Sequence, residues 1–385
     1  MYPREKLRSP TTFYIRKTGD DSKDGRTEAN AMKSFNSLFT MLSRDYDLNR
    51  QTVTINIGPG TWTNETWTIY TDAFVNRGHI EIHGAGESGK DATILSASEG
   101  STTGGRKGLS VEGPPGYYYV RVKDMQFINC TDCLSVAKGV ILYATNITFG
   151  PHLEANKGYD LKVYYGSRVY AWGGTANAPA TLTHAGGAKP PQYCYYVYEN
   201  EAAIILDNVK ISIKPDMTTE GFAYVSQGGR LHIYDATRTQ FTGTLIGYRL
   251  KVYNTGKVYT SGRGETAFPG TIKSHVDTNT GAFIDKLPFI TSVPEVKDRI
   301  IGGGVVTLGN ISTPPSLSNT FGNIASASFD YDKGTRITFK TSMNNRPYII
   351  IVTSPSGVYV VGQYHASCML SGSGRATSEF IMIEV

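Results

Sequence analysis

From Gln51 onward the chain is a succession of short β-rich runs of apolar and polar residues that alternate with turn residues. The runs Thr52–Ile57, His79–His83, Thr93–Leu95, Tyr119–Lys123 and Val140–Tyr143 are followed by Asp160–Tyr165, Ala203–Leu206, Lys210–Ile213, Gly229–Tyr234 and Arg249–Tyr253. Most are only four to six residues long, and β-rich runs bounded in this way predict short strands. The connections vary widely in length and composition, whereas a sandwich built from hairpins favours tight two-residue turns. A coil of parallel strands fits better: each turn stacks on the last at about 4.8 Å, apolar side chains fill the interior, and loops of any length project outwards.

The two ends of the chain depart from this pattern. Phe13-Tyr-Ile-Arg16 reads as a strand running into the polar turn Gly19–Gly25. Between Glu28 and Ser43, Ala31, Phe35, Leu38, Phe39 and Leu42 recur at helical spacing and predict one amphipathic helix. A solenoid has open ends whose apolar core and backbone groups need covering, and this helix is expected to cap the first rung. After Ile300, Gly302–Gly304 and Pro314-Pro315 precede alternating strands such as Arg336–Lys340 and Tyr348–Val352. The expected organisation is an N-terminal strand and capping helix over residues 1–49, a parallel β-helix over 50–285, a linker over 286–299, and a small C-terminal β-sandwich-like domain, a knob for trimerisation or receptor binding, over 300–385.

The 385 residues are 39% hydrophobic and 18% charged, enough apolar material for sizeable cores and too little charge for disorder. The 42 glycines and 25 tyrosines favour strands and turns, an all-β class. A net charge of +5 without a long Lys/Arg run argues against a nucleic-acid partner. No apolar run reaches the about 18 residues that mark a membrane span, and no secretion leader is recognisable, so no membrane insertion is expected. Cys130, Cys133, Cys194 and Cys368 do not make a disulfide framework in a chain this long. Cys130 and Cys133 form a CxxC pair, but no second pair or flanking histidine completes a zinc site, so packing thiols are expected and no metal or other cofactor.

The segments Val53-Thr-Ile-Asn-Ile-Gly-Pro-Gly-Thr-Trp62, His79-Ile-Glu-Ile-His-Gly-Ala-Gly86 and Ala92-Thr-Ile-Leu95, preceded by the helix, resemble the first rungs of pectate-lyase-like β-helices. Phe13–Arg16 with Gly19-Asp-Asp-Ser-Lys-Asp-Gly25 resembles the start of many bacteriophage tail proteins. Phe241–Gly270, with its Gly-rich turn before Phe268-Pro-Gly270, is similar to the final rungs of those proteins. The resemblance brackets residues 13 to about 284, and from about Gly100 to Glu201 it is one of style only. It implies a right-handed parallel β-helix in a homotrimeric tail fibre or tailspike, a virion protein made in the host cytoplasm and joined to other tail or baseplate proteins. The implied role is receptor binding, attachment to a bacterial surface glycan or outer-membrane protein with avidity from three chains. Since this fold hosts lyases, hydrolases and adhesins alike, a polysaccharide depolymerase (glycoside hydrolase or lyase) and a purely structural fibre segment stand as alternatives.

Receptor contact is expected from the aromatic clusters in the middle of the chain: Tyr164, Tyr165, Tyr170, Trp172, Tyr193 and Tyr195, beside the Gly- and Pro-rich loop from Gly173 to Gln192. Such rings offer an apolar face to a sugar and a polar handle to its hydroxyls, unless they form ladders in the solenoid or line a trimer interface. Glycosidic cleavage asks for two carboxyl groups about 5–9.5 Å apart. Asp160, Glu199, Glu201, Asp207, Glu220 and Asp235 are candidates, with Glu199 and Glu201 on one face at i and i+2. Nothing separates any of them from a solvated or salt-bridged residue, and no catalytic residue is assigned. His79, Glu81 and His83 share a strand face and read as an outer surface rather than a metal site.

Overall fold

The computed structural model describes residues 4–63, 65–97, 106–114, 119–173, 179–215, 217–234 and 237–285, and the backbone of the strands between 300 and 384. Contacts divide the chain into Met1–Phe289 and Ile290–Val385.

Among the described residues the first unit is predominantly β, with one α-helix, and its two large sheets hold 15 and 8 strands. The spine of the longer sheet runs through Thr11–Ile15, Val53–Ile57, Ile80–His83, Tyr119–Ile128, Ile141–Phe149, Arg168–Trp172, Ala203–Asp207, Arg230–Ile233, Lys257–Tyr259 and Phe283–Ile284, each pair parallel. The second sheet stacks Trp67–Tyr70, Lys107–Glu112, Asp132–Ala137, Tyr159–Tyr164, Tyr193–Tyr198, Thr218–Ser226, Ile246–Val252 and His275–Val276, again all parallel. From Val53–Ile57 onward, spine strands and strands of the second sheet alternate along the chain, and Gly60–Thr63, Thr93–Ser96, Ala180–His184, Val209–Ile213 and Gln240–Thr242 join the longer sheet beside its spine, a winding compatible with a parallel β-helix.

Register makes the core columnar. Ile80, Val120, Leu142, Val169, Ile204 and Leu231 are successive partners and all are buried. Each such side chain contributes about 1.5–3 kcal/mol relative to exposure. The long strands Tyr119–Ile128 and Ile141–Phe149 turn a corner: their first halves pair along the spine and their second halves with Thr93–Ser96 and Ala180–His184. The bend falls at Asp124 and Asn146, with φ of 58° and 52°, the left-handed region that Asn and Asp tolerate best. Asn146 Nδ2 donates to Asp124 Oδ1 at 2.9 Å, and its Oδ1 accepts the Thr181 N–H at 3.1 Å.

The helix spans Phe35–Asp45 and starts later than the apolar spacing predicts. Ala31 and Met32 are held outside it because Met32 pairs with Ile15, its N–H donating to the Tyr14 carbonyl. Ser34 then caps the helix by accepting from the Ser37 N–H, while Asp21 accepts from the Lys33 and Ser34 N–H groups at the positive end of the helix. Phe35, Leu38, Phe39 and Leu42 are buried, and Phe35 stacks on Trp67 of the terminal strand of the second sheet. Among the described residues no helix is long and apolar enough to cross a membrane.

The expected strands recur with shifted ends, and the expected loop from Gly173 to Gln192 contains the strand Ala180–His184; residues 174–178 lie outside the described residues. In the second unit the strands are antiparallel. A five-stranded sheet has the order Ser316–Gly322, Ile300–Thr307, Thr377–Glu384, Tyr348–Ser354, Gly357–Val361, and a three-stranded sheet joins Ile324–Asp330, Gly334–Phe339 and Ser367–Leu370.

Candidate binding groove and aromatic ladder

At the corner where the second sheet hands the chain back to the longer one, successive turns stack to form an open groove of about 700 Å³. Its lining comes from one turn after another: Tyr165 and Gly166, Glu199 and Asn200, Gln227, Asn254 and Thr255, then Thr280. Tyr165, Glu199, Gln227, Asn254 and Thr255 all have φ between 43° and 74°, which turns the chain sharply and sends the side chains outward. The turns are tied to one another, the Asn254 N–H donating to Thr280 Oγ1 at 2.9 Å and the Gly228 N–H to the Asn254 carbonyl at 3.2 Å. Tyr165 is 53% exposed.

Beside the groove runs a ladder of half-buried rings on the outer face of the second sheet. Tyr159 stacks on Tyr196 at 4.3 Å, Tyr196 on Tyr224 at 5.1 Å, and Tyr253 follows at 5.7 Å. The Lys162 ammonium sits 5.3 Å from the Tyr159 ring and donates to Asp132 Oδ2 at 3.0 Å. Burial, with the Asp132 charge behind it, pushes the Tyr159 phenol up to about 12. Glu220 accepts from the Tyr193 hydroxyl, Gln192 and Lys251, at 2.6, 2.8 and 3.1 Å. Burial raises the Glu220 carboxyl, but these donors outweigh it and hold the group below the usual carboxylate range.

The six expected receptor-contact residues do not form one site. Tyr164 lies on the outer face of the second sheet, its ring 4.8 Å from that of Tyr165 in the groove. Tyr170 and Trp172 flank Tyr143 on the longer sheet, a different face. Tyr193 is 4% exposed, and Tyr195 is fully buried with its hydroxyl 3.3 Å from His184, so Tyr195 is a core residue and not a surface one. Tyr224, Asn200, Gln227, Asn254, Thr255 and Thr280 are residues that sequence reasoning missed. The signal that could have found them is the recurrence of a polar residue just after each strand of the second sheet, visible only once the rungs are aligned.

The candidate carboxylates are also dispersed. Glu199 and Glu201 lie in a turn, with φ of 74° and 66°, rather than on one strand face. Glu201 bridges Arg168 and Arg230, Asp207 pairs with Arg238, and Asp160 is buried between His152 and His184. Asp235 lies outside the described residues. Glu81 accepts from Arg121 and Tyr119 and contacts His83, a half-buried network on the outer face. Cys130, Cys133 and Cys194 are buried free thiols. No protein-family model matches the chain, and no curated protein matches it in sequence.

Proposed function

We propose that this chain is the host-attachment protein of a bacteriophage tail, a homotrimeric fibre or tailspike whose right-handed β-helix binds a bacterial surface saccharide along the corner groove. The observation that carries this reading is the groove itself: long, open and lined by amide, carboxylate and hydroxyl groups, with the exposed Tyr165 ring among them. A pyranose offers an apolar face and a rim of hydroxyls, which a ring and planar polar side chains match. An outer-membrane protein is a poorer fit, because the core of a protein interface is depleted in charged and polar groups. Three copies of a weak site give strong attachment through avidity, and the tail or baseplate supplies the anchor.

Attachment is preferred to cleavage because most candidate carboxylates have other partners. Asp160, Glu201, Asp207 and Glu220 are held by histidine, arginine, tyrosine or lysine, leaving Glu199 as the one candidate carboxylate in the groove among the described residues. The test is adsorption of the full-length protein to host cells and to their purified surface polysaccharide. Saturable binding that weakens about tenfold in Tyr165→Ala, the loss of a stacking contact, is expected, with no new reducing ends or unsaturated sugars. Release of oligosaccharides would favour a depolymerase, and no adsorption would favour a structural fibre segment.

A further inference from the structure

Inside the solenoid, away from the groove, the side chains of Cys133, Asp160 and Cys194 occupy equivalent positions on successive strands of the second sheet. Facing them are His184, at the end of Ala180–His184, and His152, in the connection before Tyr159–Tyr164. Asp160 Oδ1 is 2.7 Å from His152 Nε2 and Oδ2 is 2.6 Å from His184 Nδ1, and both imidazoles have no exposed surface. Two donor sets therefore share the carboxylate: Cys133, His152 and Asp160 on one side, Asp160, His184 and Cys194 on the other, the ligand atoms of each set within 4.8 Å of one another.

We propose that Asp160, His184 and Cys194 bind one thiophilic divalent cation of the Zn2+ class in the solenoid interior, with Tyr195 and His152 as positioning residues. Charge balance sets the number at one. A carboxylate and one thiolate neutralise a single dication, whereas a second cation with a second thiolate leaves a positive charge in an apolar core, which is costly. The outer contacts select the side. A ligating imidazole ordinarily gives its other ring N–H to a partner, and His184 Nε2 has Tyr195 Oη at 3.3 Å. His152 Nδ1 is buried with no hydrogen-bond partner, so His152 suits the supporting role, its Nε2–H donating to the ligating carboxylate.

One nitrogen, one oxygen and one sulfur donor is a set that Zn2+ accepts, and three protein ligands are the count of an open tetrahedral site. Binding breaks the Cys194 S–H bond and forms a metal–sulfur bond, the proton leaving to solvent. The His184 proton moves to Nε2, where it donates to Tyr195. Zn–N and Zn–O bonds of about 2.0 Å hold their ligand atoms further apart than a hydrogen bond does, so the His184–Asp160 contact opens as the cation enters. A coordinated thiol is deprotonated by the cation it binds, so the buried Cys194 sulfur would ligate as the thiolate.

Because the ligands are reached only while the chain folds, the experiment uses full-length protein produced in medium supplied with Co2+ as the probe. One cobalt per chain is expected by elemental analysis, with a thiolate-to-cobalt charge-transfer band in the near ultraviolet and the visible bands of tetrahedral Co2+. Cys194→Ser abolishes the charge-transfer band and Cys133→Ser keeps it, while Tyr195→Phe weakens retention against a chelator about 10–100-fold without shifting the band. Wild-type protein that carries no cobalt, or carries it without the thiolate band, overturns the proposal, as does a band that survives Cys194→Ser. If Cys194→Ser does not fold, the wild-type spectrum and Cys133→Ser decide.

Discussion

The Phe35 ring lies flat against the Trp67 indole, with centroids 4.2 Å apart and planes 6° from parallel. Phe35 is the first residue of the helix and Trp67 opens the terminal strand of the second sheet, so one stacked pair joins the cover to the end of the coil. Phe39 stacks on Phe35 at 4.4 Å and meets Phe74 at 5.8 Å, extending the seal.

Phe35→Ala is therefore expected to cost about 3–5 kcal/mol, as for a large aromatic side chain removed from a packed core. Urea unfolding followed by circular dichroism measures it. A loss under about 1 kcal/mol would mean that the helix does not seal the end rung.

The corner at Asn146 gives a second expectation. Asn146→Ala removes two hydrogen bonds and puts a less tolerant residue at φ 52°, together about 1–3 kcal/mol. Asn146→Gly relieves the backbone but not the lost bonds, so it should fall between wild type and Ala in thermal unfolding. A Gly variant less stable than Ala would show that backbone conformation is not what the position demands.

Glu220 makes stability sensitive to acid. Its folded-state pKa is depressed, so its contribution is present above the ordinary carboxyl value of 4.5 and is lost as pH falls through the lower folded value. Glu220→Gln should flatten the acid limb of a plot of unfolding midpoint against pH and leave the neutral region nearly unchanged. An unchanged acid limb counts against the role given to Tyr193, Gln192 and Lys251.

At the alkaline end the sign reverses. Tyr159 is raised from 10.0 to about 12, so its contribution is intact below pH 10 and disappears as pH rises through about 12. Ultraviolet titration of the wild type should show one more phenol ionising near pH 12 than Tyr159→Phe does, and identical curves would count against the burial of Tyr159.

For the proposed trimer, light scattering of full-length protein at micromolar concentration should give three chains, and a monomer would end that part of the reading. Removal of residues 300–385 is expected to lower trimer yield more than β-sheet content, because stacked rungs draw their stability from neighbours in the same chain.

Strands with clean alternation were legible: Val53-Thr-Ile-Asn-Ile57 has its three aliphatic residues inward and its polar ones outward. Asp132–Ala137 was not, because all six residues are buried and no alternation survives. The run Tyr193-Cys-Tyr-Tyr-Val-Tyr198 carries rings on both faces, so parity alone cannot say that Tyr195 points in and Tyr196 out. The groove was hidden for another reason. Its residues sit in non-glycine left-handed turns on separate rungs, and no local window of sequence contains more than one step of it. The interior cluster was missed likewise, since a search for histidines close to the CxxC pair in sequence passes over His152 and His184.

The groove is also graduated. Each turn of the coil contributes its own side chains, so a long ligand lying along it meets a new mark about every 4.8 Å: Tyr165, then Glu199 and Asn200, Gln227, Asn254. Because the backbone steps repeat and the side chains do not, the backbone alone would let a polymer slide from one mark to the next. For a glycan bound there as proposed, the order of side chains would set where it stops, and exchanging two of them would move the stopping point without changing the shape of the scale.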